Sequence, residues 1–480
     1  MRSKMATSKA MDTFEALYGR RSIRSFEQGK SIPQEVLQKI LSSAWYTMPL
    51  PDGQLPWRLL AVRDQATKEI LADSAKEVAM LLFGASFEIF GPGHLWYLSR
   101  DTQLAVAEYT TTGELWQYPR DADVVLIPLF TKMAWVDTIP TITTSIDLYL
   151  EFLGFATQNM WLVAHKYGVG AGYNGMPLLD VRRREIVAEH LGIPWSWEPT
   201  GAFSLGYAKS PRYFGPARPP LEGVTFSEYW GNPYRRIAFE DASYEKMALP
   251  ETEIEDVIRN LNFVDSFGNH PVPSWKIEKV LDAAIYGPVP ENFKNWRFLV
   301  VKDKQSKEFL KALASEKKHC PWTFNWPELQ YSRTRHLPQE DRLAEVERVT
   351  QKGLGGWLTE ADTLIIILSC VFNWRDQPYP GLAAAPNDMW AISTGCCTQN
   401  MIIAASALGL GINYDLSGTG DERTRELMTD YFGIPAGTWV PLGILGLGEP
   451  REKAILPPKP PLQSLIYEEY WGNPYPLITV

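Results

Sequence analysis

Hydrophobic and polar positions along the chain follow two alternating periods, and the alternation occurs twice. Val36, Leu37, Ile40 and Leu41 recur at helical spacing, as do Ile277, Val280, Leu281 and Ala284. Each helix opens with a proline in its first turn, at Ser31-Ile32-Pro33 and Pro273-Ser274, where the missing N–H is tolerated. Short β-rich runs follow at Trp57–Val62 and Trp296–Val301, then buried strands at 124–130 and 363–368. Long helices are predicted over 144–167 and 386–408. They are apolar on more than one face, so each must be buried against something large. Charged helices at 181–191 and 421–432 and final strands at 200–207 and 439–447 complete each unit. The stretches 84–120 and 317–357, rich in Gly, Pro and aromatics, read as irregular. The Pro-rich tails from 210 and 449 read as extended arms running over a neighbour. Alternating helices and strands make each unit α/β or α+β.

The two sets of elements are copies. Ile32-Pro33 returns as Val272-Pro273, an offset of 240 (273 − 33), and Trp57-Arg58 as Trp296-Arg297, an offset of 239 (296 − 57). Gln158-Asn159-Met160 returns as Gln399-Asn400-Met401, and Gly192-Ile193-Pro194 as Gly433-Ile434-Pro435. Each copy closes on the same seven letters, from Glu228 to Tyr234 and from Glu469 to Tyr475. A period this long means two whole domains, set at 11–240 and 250–480, with the seam near 236–252.

The 480-residue length agrees with two domains. A net charge of −9, with no basic groove, argues against a nucleic-acid partner. No apolar run is long enough to span a bilayer, and the N-terminus lacks a secretory core. Cys320, Cys370, Cys396 and Cys397 form no C-x-x-C pair, and six scattered histidines suggest no metal site. A reducing, cytoplasmic setting is the expectation.

One cluster carries candidate chemistry. Arg20, Arg21, Ser22 and Arg24 place three guanidiniums and a hydroxyl within five residues. Guanidinium forks grip phosphate oxygens in pairs, so the cluster suits a phosphate monoester, although charge runs are more often solvated turns.

The order R-R-S-x-R-x-F, I-P-x-E-V-L-x-x-I-L, a proline loop ending in P-W, a strand, the Gln-Asn-Met helix, G-x-G and a final R-P-P-L resembles the FMN-dependent nitroreductase superfamily. The resemblance runs over nearly the whole chain, in both copies. It implies an α+β fold of two tandem three-layer domains, each a mixed, mainly antiparallel sheet flanked by helices. Relatives are homodimers with FMN at the interface, so the fused copies are expected to form a monomeric pseudo-dimer, free to diverge. The first copy keeps the phosphate and ribityl side: Arg20, Arg21, Ser22, Arg24 and, in the tail, Arg218. The second has Arg259-Asn260-Leu261-Asn262-Phe263 there, with Lys459 for Arg218. The second copy keeps the loop that faces the flavin ring, Pro288-Val289-Pro290-Glu291-Asn292, while the first has Gly53 where the Asn belongs. One composite FMN site is therefore expected, with its mirror empty or reshaped.

The resemblance assigns Asn174 and Gly175, after the G-x-G strand, to the reacting edge near flavin N5. A backbone N–H there would stabilise negative charge on reduced flavin. The activity it implies is hydride transfer through N5 between NAD(P)H and a planar conjugated small-molecule substrate, with no metal. Alternatives are flavin sequestration without turnover, flavin fragmentation and reductive dehalogenation. Tyr97, Trp116, Tyr118, Trp322, Trp326 and Tyr331 are candidate substrate walls.

Overall fold

The computed structural model describes residues 10–50, 53–84, 99–132, 146–210, 218–236, 249–290, 294–315, 336–344, 355–370, 385–416, 418–420 and 422–476. The described elements, in chain order, are α1 (Thr13–Gly19), α2 (Gln34–Ser43), β1 (Trp57–Val62), α3 (Gln65–Gly84), α4 (Arg100–Thr111), β2 (Val124–Thr131), α5 (Ile146–Lys166), β3 (Gly170–Asn174), α6 (Val181–His190), β4 (Trp197–Pro199), β5 (Ala202–Gly206) and β6 (Thr225–Ser227). The second copy contributes α7 (Ile254–Arg259), β7 (Val264–Phe267), α8 (Ser274–Ala284), β8 (Trp296–Val301), α9 (Lys304–Ser315), α10 (Trp357–Glu360), β9 (Thr363–Cys370), α11 (Ala385–Ala407), β10 (Gly411–Asp415), α12 (Glu422–Phe432), β11 (Trp439–Gly448), β12 (Pro450–Lys453) and β13 (Ile466–Glu468).

Prolines 33 and 273 sit at the N-caps of α2 and α8, so the ring sets the entry angle without breaking a bond. Helix α4 departs from expectation, since its stretch reads as irregular. Ser99 caps it by accepting from the Thr102 N–H, and Asp101 lies in its positive first turn. Because Ala107 is its one buried residue, the helix shows almost no apolar stripe to reveal it.

Each copy builds one main sheet, and β7 and β12 of the second copy pair antiparallel as a separate two-stranded sheet. The first runs β13-β1-β2-β5-β3, with β4 also on β2; the second runs β10-β11-β9-β8-β6. β1 and β2 pair antiparallel, with Trp57 opposite Phe130, and the equivalent β8 and β9 set Trp296 opposite Ser369. The outer strands are exchanged: β13 joins β1 in parallel, and β6 joins β8 in parallel. The repeated tails thus complete the opposite copy's sheet. The Glu469 carboxylate accepts from the Arg63 and Asp64 N–H groups, and Glu228 does the same at Lys302 and Asp303. Each such contact covers a sheet edge and satisfies backbone donors at a helix start.

The long helices α5 and α11 cross at the centre. Gly154 and Gly395 stand at the crossing, related by the offset that carries Gln158 to Gln399, 241 (399 − 158). A Cβ on Gly154 would lie 2.3 Å from the Ile392 carbonyl oxygen, and one on Gly395 would lie 2.2 Å from that of Glu151. Neither side chain fits, so the backbones touch. Around the crossing, Gln158 donates to Asn400 at 2.6 Å and Gln399 donates to Asn159 at 2.9 Å. Asn159 and Asn400 then donate to the Ser43 and Ala283 carbonyls, at the ends of α2 and α8. These buried amides bond in reciprocal pairs, as a self-complementary interface requires, although Gln158 Oε1 has no partner among the described residues.

Candidate active site between the two copies

A cleft opens where the copies meet. The first copy contributes Ser22, Arg24, Trp116, Trp161, Gly175 and Met176; the second contributes Pro288, Val289, Pro290, Met389, Ser393 and Cys396. Seven of the residues singled out in the sequence (Ser22, Arg24, Trp116, Gly175, Pro288, Val289 and Pro290) therefore share one space. Asn292 lies outside the described residues.

Arg20, Arg21 and Arg218 gather beside it. Arg20 is 2% exposed, and its guanidinium lies over the Trp161 ring at 4.5 Å. It donates to the Tyr286 carbonyl at 3.0 Å, while Arg218 donates to the Ile285 and Gly287 carbonyls, each at 3.2 Å. The first copy's arginines thus hold the residues that end α8 and lead into Pro288, where helix carbonyls attract cations. Arg21 turns inward to the Tyr18 and Arg20 carbonyls.

These bonds do not use up the cations. Nε and Nη1 of Arg20, and Nε of both Arg21 and Arg24, are buried without an acceptor among the described residues. Burial, and next the charge of Arg218, pull the Arg20 pKa down to about 9. Arginines crowded together with donors to spare form a cradle for an anion of more than one charge, which would offset both desolvation and mutual repulsion. The residues present fit a phosphate monoester.

Gly175 lines the cleft, and a Cβ there would fall 2.0 Å from Met389 Sδ. The Met389 side chain of α11, from the other copy, packs directly on its bare backbone. Asn174 is fully buried; its side chain donates to the Trp116 carbonyl at 2.7 Å and accepts from the Met176 N–H at 3.1 Å, so the amide holds the turn that carries Gly175. Of the candidate walls, Trp116 lines the cleft and Tyr118 is buried beside Arg24. Tyr97, Trp322, Trp326 and Tyr331 lie outside the described residues. The sequence reading missed Thr157, Trp161, Met389, Ile392, Ser393 and Cys396, which line the cleft from α5 and α11.

At the mirror position, among the described residues, aromatic side chains fill the same framework. Phe152 and Phe155 of α5, equivalent to Ser393 and Cys396 of α11, are fully buried with ring centroids 5.2 Å apart, and Phe155 meets the Tyr414 ring edge-on at 5.8 Å. Asn260 and Asn262 donate to the carbonyls of Asp256 and Leu410. Lys459, equivalent to Arg218, still holds the Trp45 and Thr47 carbonyls after α2. The loop-holding cation survives there, while the arginine cluster does not.

Among the described residues no three His, Cys, Asp or Glu side chains are grouped to hold a metal, and no helix is long and apolar enough to cross a membrane.

The model of the nitroreductase family matches residues 114–207 and 266–449, a segment in each copy, and the chain belongs to that family. An NADH dehydrogenase of Thermus thermophilus is 22% identical over 219 residues, which make up 45% of this chain but 97% of that protein. A putative NADH dehydrogenase/NAD(P)H nitroreductase of Methanothermobacter thermautotrophicus is 28% identical over 196 residues, 40% of this chain and 77% of its own. Among solved structures, nitroreductase A of Vibrio parahaemolyticus is 20% identical with a TM-score of 0.32, over 50% of this chain and 84% of that one. Oxidised iodotyrosine deiodinase bound to FMN and 3-iodo-L-tyrosine is 19% identical with a TM-score of 0.31, over 43% and 96%. The chain is a tandem pair of nitroreductase-like units, each a mixed, mainly antiparallel sheet flanked by helices.

Proposed function

We propose that the cleft binds one FMN per chain and that the protein is a flavin-dependent oxidoreductase acting on a planar, conjugated small molecule. The observation that carries this reading is the pairing of the first copy's spare arginine donors with the second copy's proline loop across a single cleft. The relatives' names, NADH dehydrogenase and NAD(P)H nitroreductase, support a nicotinamide donor. Bound FMN supplies two-electron transfer between that donor and the acceptor.

In this reading Arg20, Arg21 and Arg218 hold the phosphate, and Ser22 and Arg24 serve the ribityl chain and ring edge. Pro288, Val289 and Pro290 cover the ring, and Asn292 meets its polar edge. Met176, Met389, Ile392 and Trp116 keep water from the reacting face. Gly175 leaves backbone, not side chain, closest to the reacting atoms. A single, asymmetric site favours a narrow task, such as reduction or oxidation of a C=C or C=N bond in one metabolite, over broad nitroaromatic turnover.

The test is flavin stoichiometry of the purified protein, followed by anaerobic NADH or NADPH. One FMN per chain, bleached by either donor and restored by a quinone, is the expected result. Two equivalent flavins per chain would remove the composite site. Flavin that neither donor bleaches would replace the enzyme with a flavin-sequestering protein.

A further inference from the structure

Behind the cleft runs a buried polar network. Ser393 Oγ donates to the Pro288 carbonyl at 2.7 Å and lies 3.1 Å from Asn295 Oδ1. Asn295 Nδ2 donates to the Trp390 carbonyl at 2.8 Å and to Thr394 Oγ1 at 3.2 Å. Thr394 Oγ1 lies 3.2 Å from Ser369 Oγ, and the Asn295 carbonyl accepts from the Cys370 N–H at 2.7 Å. Asn295 and Thr394 are fully buried, and Ser369 and Ser393 nearly so.

The other copy has none of this. The equivalents of Asn295, Ser393, Thr394 and Ser369 are Pro56, Phe152, Leu153 and Phe130. Phe130 opposite Trp57 and Ser369 opposite Trp296 hold the same register position. The fold is therefore built equally well with apolar groups at all four places. Burying polar side chains is costly unless each is bonded, and a satisfied network gives a fixed geometry in return. This one ends on two groups of the cleft: the Pro288 carbonyl, which opens the lining loop, and Ser393, which lines the cleft itself. Of Pro288, Val289 and Pro290, Val289 alone carries an N–H, so the loop's orientation is also the orientation of that donor.

We infer that Asn295 and Ser393 are a positioning pair that pins the Pro288–Val289–Pro290 loop to α11 and so sets how the loop presents the Val289 N–H to the flavin ring. The inference rests on the FMN reading above. It assigns the pair no contact with reacting atoms; they act through the loop.

The experiment uses the full chain, stripped of flavin, with Ser393→Ala as the main variant because it removes one hydroxyl from a site beside open space. The readouts are the FMN dissociation constant, the midpoint potential of the bound flavin and the melting temperature of the apoprotein. Ser393→Ala is expected to weaken FMN binding about tenfold, the scale of one hydrogen bond, and to make the potential more negative, because a loosened donor stabilises reduced flavin less. The apoprotein melting temperature should stay near that of the parent. Asn295→Ala with Ser393→Ala should bind FMN no more weakly than Asn295→Ala alone, since the two act as one unit. Phe152→Leu, in the mirror copy, should leave both the dissociation constant and the potential alone. Unchanged affinity and potential in Ser393→Ala would overturn the inference, as would a lower melting temperature with neither altered. A parent chain that binds no FMN at all would instead sink the underlying reading, and this one with it.

Discussion

The open cleft and its closed mirror are built from the same elements and differ in side-chain volume and charge. On α11, Ser393 and Cys396 leave room; on α5, Phe152 and Phe155 fill it. In the first copy the segment after α1 carries Arg20, Arg21 and Arg24; in the second, the segment after α7 carries Asn260 and Asn262, bonded to nearby carbonyls. The features that survive in both are those that join the copies: the glycine crossing, the reciprocal amides, the exchanged strands and the cation that holds each helix end. Fusion released the two sites from symmetry but left the interface bound by it.

The sharpest way to break this comparison is to remove the cations from each side in turn. Arg20→Ala with Arg24→Ala should give colourless protein, because the cradle is the part of the site that the mirror lacks. Arg259→Ala with Lys459→Ala, the cations that remain on the corresponding side of the second copy, should leave one flavin per chain. Visible absorbance and released flavin measure both. If the first pair retains its flavin, or the second loses it, the cradle has been assigned to the wrong copy.

Next in size is the filling of the mirror site. Phe152→Ala or Phe155→Ala should each lower stability by about 3–5 kcal/mol, the range for emptying a buried aromatic position. Flavin stoichiometry should stay at one, since space without an anion cradle does not make a site. Denaturant unfolding beside flavin titration checks both halves of the claim. A second bound flavin in either variant would show that volume alone closes the mirror.

Much of this arrangement was legible in the chain. The duplication, the strand positions and the two long helices follow from periodicity and repeated words, and they match the structure to within a few residues. The complementary loss of cations in one copy and of the loop asparagine in the other was also readable. The helix residues that open one site and close the other were not singled out. Ser393 and Cys396 sit in a helix buried on several faces, where a change of size leaves the apolar pattern intact. Setting α5 against α11 position by position would have exposed them, because small residues face phenylalanines at two places a turn apart. The side-chain role of Asn174 was equally hidden: its amide bonds the Trp116 carbonyl and the Met176 N–H, a tie across the fold that no local spacing shows.

A last difference separates the two copies by pH. Glu151 of α5 occupies the place that Ile392 holds on α11 beside the open cleft. It is fully buried, accepts from the Tyr414 hydroxyl at 2.5 Å, and its Oε2 has no hydrogen-bond partner among the described residues. Burial pushes its pKa from the usual 4.5 up to about 8, against the opposing pull of Tyr414, Thr398 and Arg425. The fold therefore favours the neutral acid. The stability this group contributes is whole below pH 4.5 and is lost as pH rises through about 8, at up to about 1.4 kcal/mol per pH unit. Glu151→Gln keeps an acceptor for Tyr414 and cannot ionise, so its stability relative to the parent should rise across that window and level off above it. Denaturant midpoints at several pH values measure the difference. A gap between the two proteins that is constant from pH 5 to 8 would mean that Glu151 is already ionised in the fold, and that the closed mirror holds a buried charge beside its phenylalanines.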